Sequence, residues 1–150
     1  MKILVRGDSA YARENIMSWC ESQTGVDFVF GLAQNSRLLQ LSQSTQYRAS
    51  QEYSQKLQTV VEFFETLFAP SSDLKEQATA LVDNSVWYSS LDYKTLDSWS
   101  RNRRVVSKVE YGASGTNTCF VVTSLPTKLA SRPTTLYPKI LSARGDGKSF

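Results

Sequence analysis

Lys2-Ile3-Leu4-Val5-Arg6-Gly7-Asp8-Ser9, with the helical run to Gln23 and then Asp27-Phe28-Val29-Phe30-Gly31-Leu32-Ala33, is the stretch on which the fold turns. Ile3, Leu4 and Val5 form a short apolar run that stops at a glycine, the pattern of a buried strand. Either Asp8 or Ser9 can cap the helix that follows, from about Ala10 to Gln23. Ala12, Ile16, Trp19 and Cys20 fall on one face of that helix at helical spacing, which places Trp19 in the core. Gly25 ends the helix, and Asp27 to Ala33 reads as a second strand. Strand, helix and strand within about thirty residues make a βαβ-sized unit. Spacing alone leaves open whether the two strands are parallel.

Outward from this unit, Ser36 to about Phe68 is helical, with Leu38, Leu39, Leu41, Leu57, Val60, Val61, Phe64 and Leu67 as its apolar stripe. Pro70-Ser71-Ser72 breaks it. Lys75 to Val82 reads as a short helix or the lead-in to a strand. The chain then turns to β: Val86–Tyr88, Leu91–Tyr93, Arg104–Tyr111 and Cys119–Leu125 are strand-like, and Gly112–Asn117 is a turn within a meander or hairpin. Pro133 and Pro138 discourage a long helix in the tail.

Composition narrows the chemistry. The 150 residues are 41% apolar, enough for one domain with a real core, and no window nears the roughly 20 apolar residues of a membrane span. The N-terminal apolar run is too short for a signal peptide, so a cytoplasmic location is expected. There is no histidine, which removes the commonest general base and leaves carboxylates, a lysine or carboxylate-held metal ions for any catalysis. Cys20 and Cys119, far apart and in apolar contexts, suit buried thiols better than a disulfide or a zinc site. Net charge is only +3, but Arg101, Arg103, Arg104 and Lys108 fall together with no acid among them. Gly112-Ala113-Ser114-Gly115 lacks the following helix and lysine of a phosphate-binding loop.

Several blocks in order carry a resemblance. They are Val5-Arg6-Gly7-Asp8-Ser9 with Glu14 and Met17–Glu21 behind it, Val26–Ala33, Ser98-Trp99-Ser100-Arg101-Asn102-Arg103-Arg104-Val105-Val106, Phe120–Leu125, and Ala143-Arg144-Gly145. In order and spacing they resemble the catalytic half of bacterial insertion-sequence transposases of the DDE class. The resemblance implies an α/β fold: a partial RNase H-like core (strand–helix–strand, then helices) with a β-rich insertion. It divides the chain into a partial core at 1–70, the insertion at 71–130 and a truncated return to the core at 131–150.

In that family three acids hold two divalent ions, Mg²⁺ or Mn²⁺, for in-line phosphodiester displacement on DNA. Asp8 matches the second acid, which makes it the candidate catalytic and metal-ligating residue. On local chemistry alone Asp8 reads first as a helix N-cap, a role worth about 1 kcal/mol. The collinear blocks reverse that order. The segment Arg101, Arg103, Arg104 and Lys108, with Arg144, would contact DNA phosphates, and Trp99 would stack on a base or ribose. The competing reading of the same run is a solvated strand edge whose cations discourage aggregation. Tyr11, Arg13 and Lys2 read as plain surface residues.

The sequence departs from the family at two of the three acids. The first acid lies upstream of the second in the family, before the position of Met1. The third belongs to a Tyr-x-x-Arg-x-x-x-Glu motif, in which Leu141 replaces the tyrosine, Arg144 fits, and Lys148 replaces the glutamate. A lysine there repels a metal ion. Gly145–Phe150 can be encoded GGT GAT GGA AAA TCG TTT, and inserting AA after GGTGA restores Gly-Glu-Met-Glu-Asn-Arg, the family's continuation. A frameshift at 146–150 is therefore expected, along with a transposase fragment inactive by itself and marginally folded. The alternative is a truncated regulator that binds transposon-end DNA or associates with the full-length transposase.

Overall fold

The computed structural model describes residues 1–68 and 73–125. Contacts divide them into two units, one from Met1–Ser42, Tyr88–Lys108 and Cys119 onward, the other from Gln43–Trp87 and Val109–Thr118. The elements are β1 (Ile3–Gly7), a 3-10 turn (Ser9–Tyr11), α1 (Glu14–Ser22), β2 (Val26–Leu32), α2 (Ser36–Leu41), α3 (Gln43–Leu67), α4 (Leu74–Leu81), β3 (Ser85–Tyr93), β4 (Arg103–Gly112) and β5 (Gly115–Thr123). This is a mixed α/β fold, as expected, and it is consistent with a partial RNase H-like core.

The strands form one sheet in the order β1-β2-β5-β4-β3. β1 runs parallel to β2, with Ile3 opposite Val26 and Gly7 opposite Phe30, which settles the question that spacing left open. β5 lies antiparallel on the other side of β2, with Val29 opposite Thr123 and Leu32 opposite Phe120. Among the described residues β1 is therefore an edge strand. Its expected burial is only partly met: Val5 and Leu4 pack against the two cores, while Ile3 is half exposed.

In the first unit, alternation along the strands builds a core on each face of the sheet. Phe28, Phe30, Val105, Phe120 and Val122 share one face and pack with Met17, Cys20, Leu38, Tyr93 and Trp99. Val29, Val106 and Val121 share the other, with Leu4 and Tyr88 beside them. Phe28 and Phe30 are fully buried and stack with ring centroids 4.9 Å apart. Burying each such side chain contributes about 1.5–3 kcal/mol.

The helix after β1 starts later than its sequence pattern suggests. A 3-10 turn intervenes, and α1 begins at Glu14. The shift moves its inner face to Met17 and Cys20, so Trp19, placed in the core from spacing, is 57% exposed. Both cysteines are free thiols, Cys20 buried and Cys119 half-buried.

In the second unit the apolar stripe expected along the helical stretch is used only in part. α3 buries Thr45, Ala49 and Tyr53 at four-residue spacing, and Tyr53 packs against Tyr111 with centroids 5.6 Å apart. α4 turns Leu74 and Ala78 inward. Toward the end of α3, Phe63, Leu67 and the adjoining Phe68 stay more than half exposed. Gly115, at φ +98, supplies the left-handed residue that closes the β4–β5 hairpin, and no other residue type takes positive φ among the described residues. No described helix is long and apolar enough to cross a membrane.

Candidate functional site

Asp8 follows directly on the last residue of β1. Its backbone is extended (φ −84, ψ −170), and its Oδ1 accepts the Ala10 N–H at 3.0 Å. The Tyr11 N–H donates to the Asp8 carbonyl at 3.1 Å, so the turn is tied to Asp8 twice. The side chain is exposed, with its second oxygen outside this cap. Asp8 is thus a cap, of the 3-10 turn and not of α1, and the cap engages a single carboxylate oxygen.

No group of three or more aspartate, glutamate, histidine or cysteine side chains able to hold a metal gathers among the described residues. A lone carboxylate does not fit the two-ion site that the resemblance implies, because Mg²⁺ dehydrates reluctantly and needs several ligands. No metal-dependent step follows from these residues by themselves.

The most developed polar cluster lies elsewhere in the first unit. Glu14, Ser18 and Glu21 recur along α1 at spacings of four and three, which puts them on one helical face. Arg103, the first residue of β4 and 5% exposed, is held there. Its Nη1 donates to Glu14 Oε1 at 2.9 Å, its Nε to Glu21 Oε2 at 2.9 Å and its Nη2 to Glu21 Oε1 at 2.8 Å. Glu14 also accepts from the Ser18 hydroxyl and, at 2.8 Å, from the Ser100 N–H. The guanidinium carbon sits 5.6 Å from the centre of the Trp99 ring, a cation–π contact.

The electrostatics follow from this geometry. Hydrogen bonds from Arg103, then Ser18 and Ser100, hold the Glu14 carboxyl far below the usual range. Burial pushes Glu21 upward, but Arg103 and then Arg101 outweigh it and leave it lowered. Arg103 is raised by Glu21 and Glu14 against the opposing effect of burial, so each partner favours the charged form of the other.

The basic segment expected to face DNA is therefore split. Trp99 is 4% exposed, meets Tyr93 edge-on at 5.6 Å, and donates its backbone N–H to Thr95 Oγ1 at 2.8 Å. No face of its ring is left for a base in this arrangement. Arg103 is enclosed by its two carboxylates. Arg101 has a 59% exposed side chain and an ion pair with Glu21 at 2.6 Å. Arg104 and Lys108 share the opposite face of β4 by alternation and are both half-buried. Arg104 donates to Ser90 Oγ at 3.2 Å, and burial lowers its pKa. Arg144 and the segment 131–150, with the proposed frameshift, lie outside the described residues.

The acidic face of α1 was missed as a structural partner of Arg103. The signal was present in the spacing of Glu14 and Glu21, seven residues apart on a helix, but nothing local says which distant cation meets them.

The model of the family described as Transposase DDE domain group 1 matches residues 1–149. No curated protein and no solved structure matches.

Proposed function

Because the chain belongs to the DDE transposase domain family, whose members act on DNA with divalent metal ions, we propose that it serves transposition through Asp8, as one ligand of a metal site that these residues do not complete. The observation that carries the proposal is the exposed carboxylate at the end of a parallel strand, within the stretch the family model matches. A rigid strand end holds a carboxylate at a fixed angle, which suits a ligand better than a mobile loop does. By itself the chain does not cut DNA.

In this reading Arg101, Arg104 and Lys108 supply phosphate contacts, with Arg144 as a further candidate. Trp99 and Arg103 act one step back and hold the segment that presents Arg101. A gel shift across a salt series, paired with a Mg²⁺- or Mn²⁺-dependent nicking assay on supercoiled plasmid, tests the proposal. The expected result is salt-sensitive binding without cleavage. Metal-dependent cleavage abolished by Asp8→Asn would show that the site is complete, and absence of any binding at low salt would remove the DNA role.

A further inference from the structure

Tyr11 lies three residues beyond Asp8 and is half exposed. One side of its ring covers the buried Phe30, with centroids 6.0 Å apart and planes 29° from parallel. The ring also lies close to the end of β1, beside Phe30's strand partner Gly7, where a Cβ would come within 2.5 Å of Tyr11 Cδ2, so only glycine leaves the ring this room. The backbone is fixed as well: Tyr11 N–H donates to the Asp8 carbonyl, and the Arg13 N–H donates to the Tyr11 carbonyl at 2.8 Å. Arg13, the next cation, is exposed.

A single exposed aromatic is common on protein surfaces and by itself means little. Here three exposed groups fall within six residues of chain, from the cap of the 3-10 turn to the start of α1: a carboxylate, a braced aromatic ring and a cation. Together they match the parts of a nucleotide. The ring suits a base or deoxyribose, and Arg13 suits a phosphate. The bracing matters, because a ring already held in place loses little rotamer freedom on stacking.

We propose that Tyr11 is a nucleotide-positioning residue whose exposed ring surface stacks on an unpaired base of a DNA strand lying against Asp8. The inference rests on the DNA-acting reading of the chain and deepens it by naming how that strand is held. It predicts a preference for DNA with unpaired bases, since a base inside a duplex offers no free face to the ring.

The test uses the full 150-residue chain and duplex probes with a short single-stranded 3′ tail, without metal. In one probe the tail carries 5-iodouracil, and the crosslinked residue is read by mass spectrometry. The expected crosslink is at Tyr11. In the second the tail carries 2-aminopurine, whose fluorescence is quenched by stacking. Tyr11→Ala should lose the quench and about tenfold in affinity, while Tyr11→Phe keeps both.

Crosslinks only at other residues, or a Tyr11→Ala chain that binds and quenches like the parent, overturn the proposal while leaving DNA binding intact. A parent chain that binds neither probe overturns the DNA reading and this inference with it. The crosslink needs no substitution, so the result stands even where Tyr11→Ala fails to fold.

Discussion

Arg103 and Glu21 form a bidentate pair across 82 positions of sequence, with Nε to Oε2 at 2.9 Å and Nη2 to Oε1 at 2.8 Å. Two parallel N–H···O bonds demand the planar fork of arginine, and the pair locks the first residue of β4 onto the last turn of α1. Glu14 receives the remaining edge of the same guanidinium. The cluster joins α1 to the start of β4.

Removing the cation should hurt more than removing either acid. Arg103→Ala leaves two carboxylates facing each other in a partly buried site, a loss of about 3 kcal/mol or more. Glu21→Gln, which keeps hydrogen-bonding capacity, should cost less. Urea denaturation of both variants and of the double variant gives the coupling, and Arg103→Lys should recover only part of it because an ammonium cannot pair with both acids in the same way.

Acid should loosen the fold early. Glu14 and Glu21 have lowered pKa values in the folded chain, so on acidification the unfolded chain takes up protons first. Their stabilisation is complete above the ordinary glutamate value of 4.5 and is lost progressively as pH falls below it. Urea midpoints measured from pH 7 to pH 3 should drop over the acid end of that range, and Glu14→Gln should flatten the drop.

Substitution of Asp8 separates its capping role from the proposed ligand role. Asp8→Asn keeps an oxygen for the Ala10 N–H and should change stability by only a few tenths of a kcal/mol, whereas Asp8→Ala should cost about 1 kcal/mol. Both remove the charge that a metal ion needs. Mn²⁺ binding followed by electron paramagnetic resonance, alongside thermal melts, should show the two variants alike in metal response and different in stability.

Gly7 is required by its neighbour. Gly7→Ala drives a Cβ into the Tyr11 ring and should cost about 1–2 kcal/mol. In Gly7→Ala/Tyr11→Ala the penalty of the glycine change should largely disappear. Additive losses in a double-mutant cycle would mean that the ring is not what excludes a side chain at this position.

The proposed DNA contact at Arg101 and the supporting residue Arg103 should differ in kind. Arg101→Ala removes an exposed cation and should reduce the slope of log K against log salt by about one, with little change in stability. Arg103→Ala should instead lower binding through loss of folded protein, visible as a drop in melting temperature that accompanies the drop in affinity.

Much of the architecture was legible because it is local. The strand–helix–strand order, the break before α4 and the β-rich second half follow from apolar period, glycine and proline positions. Errors arose where a partner decides. Trp19 sits at helical spacing with Ile16 and Cys20, yet the 3-10 turn after Asp8 rotates the face that meets the sheet. Trp99 and Arg103 belong to a basic run that reads as a DNA-contacting segment or a solvated strand edge, yet the acids of α1 draw Arg103 inward and Trp99 packs beside it.

The residues alone determined the α/β class, the short strand ending at Gly7, and Asp8 as a capping position. Tertiary structure decided three further things: that β1 lies parallel to β2 at a sheet edge, that Arg103 belongs to Glu14 and Glu21, and that Tyr11 stays half open beside Asp8. The reason is range. Helix period and turn chemistry act over a few residues, whereas pairing of strands, burial of a charge and exposure of a ring depend on residues tens of positions away that sequence spacing does not bring together.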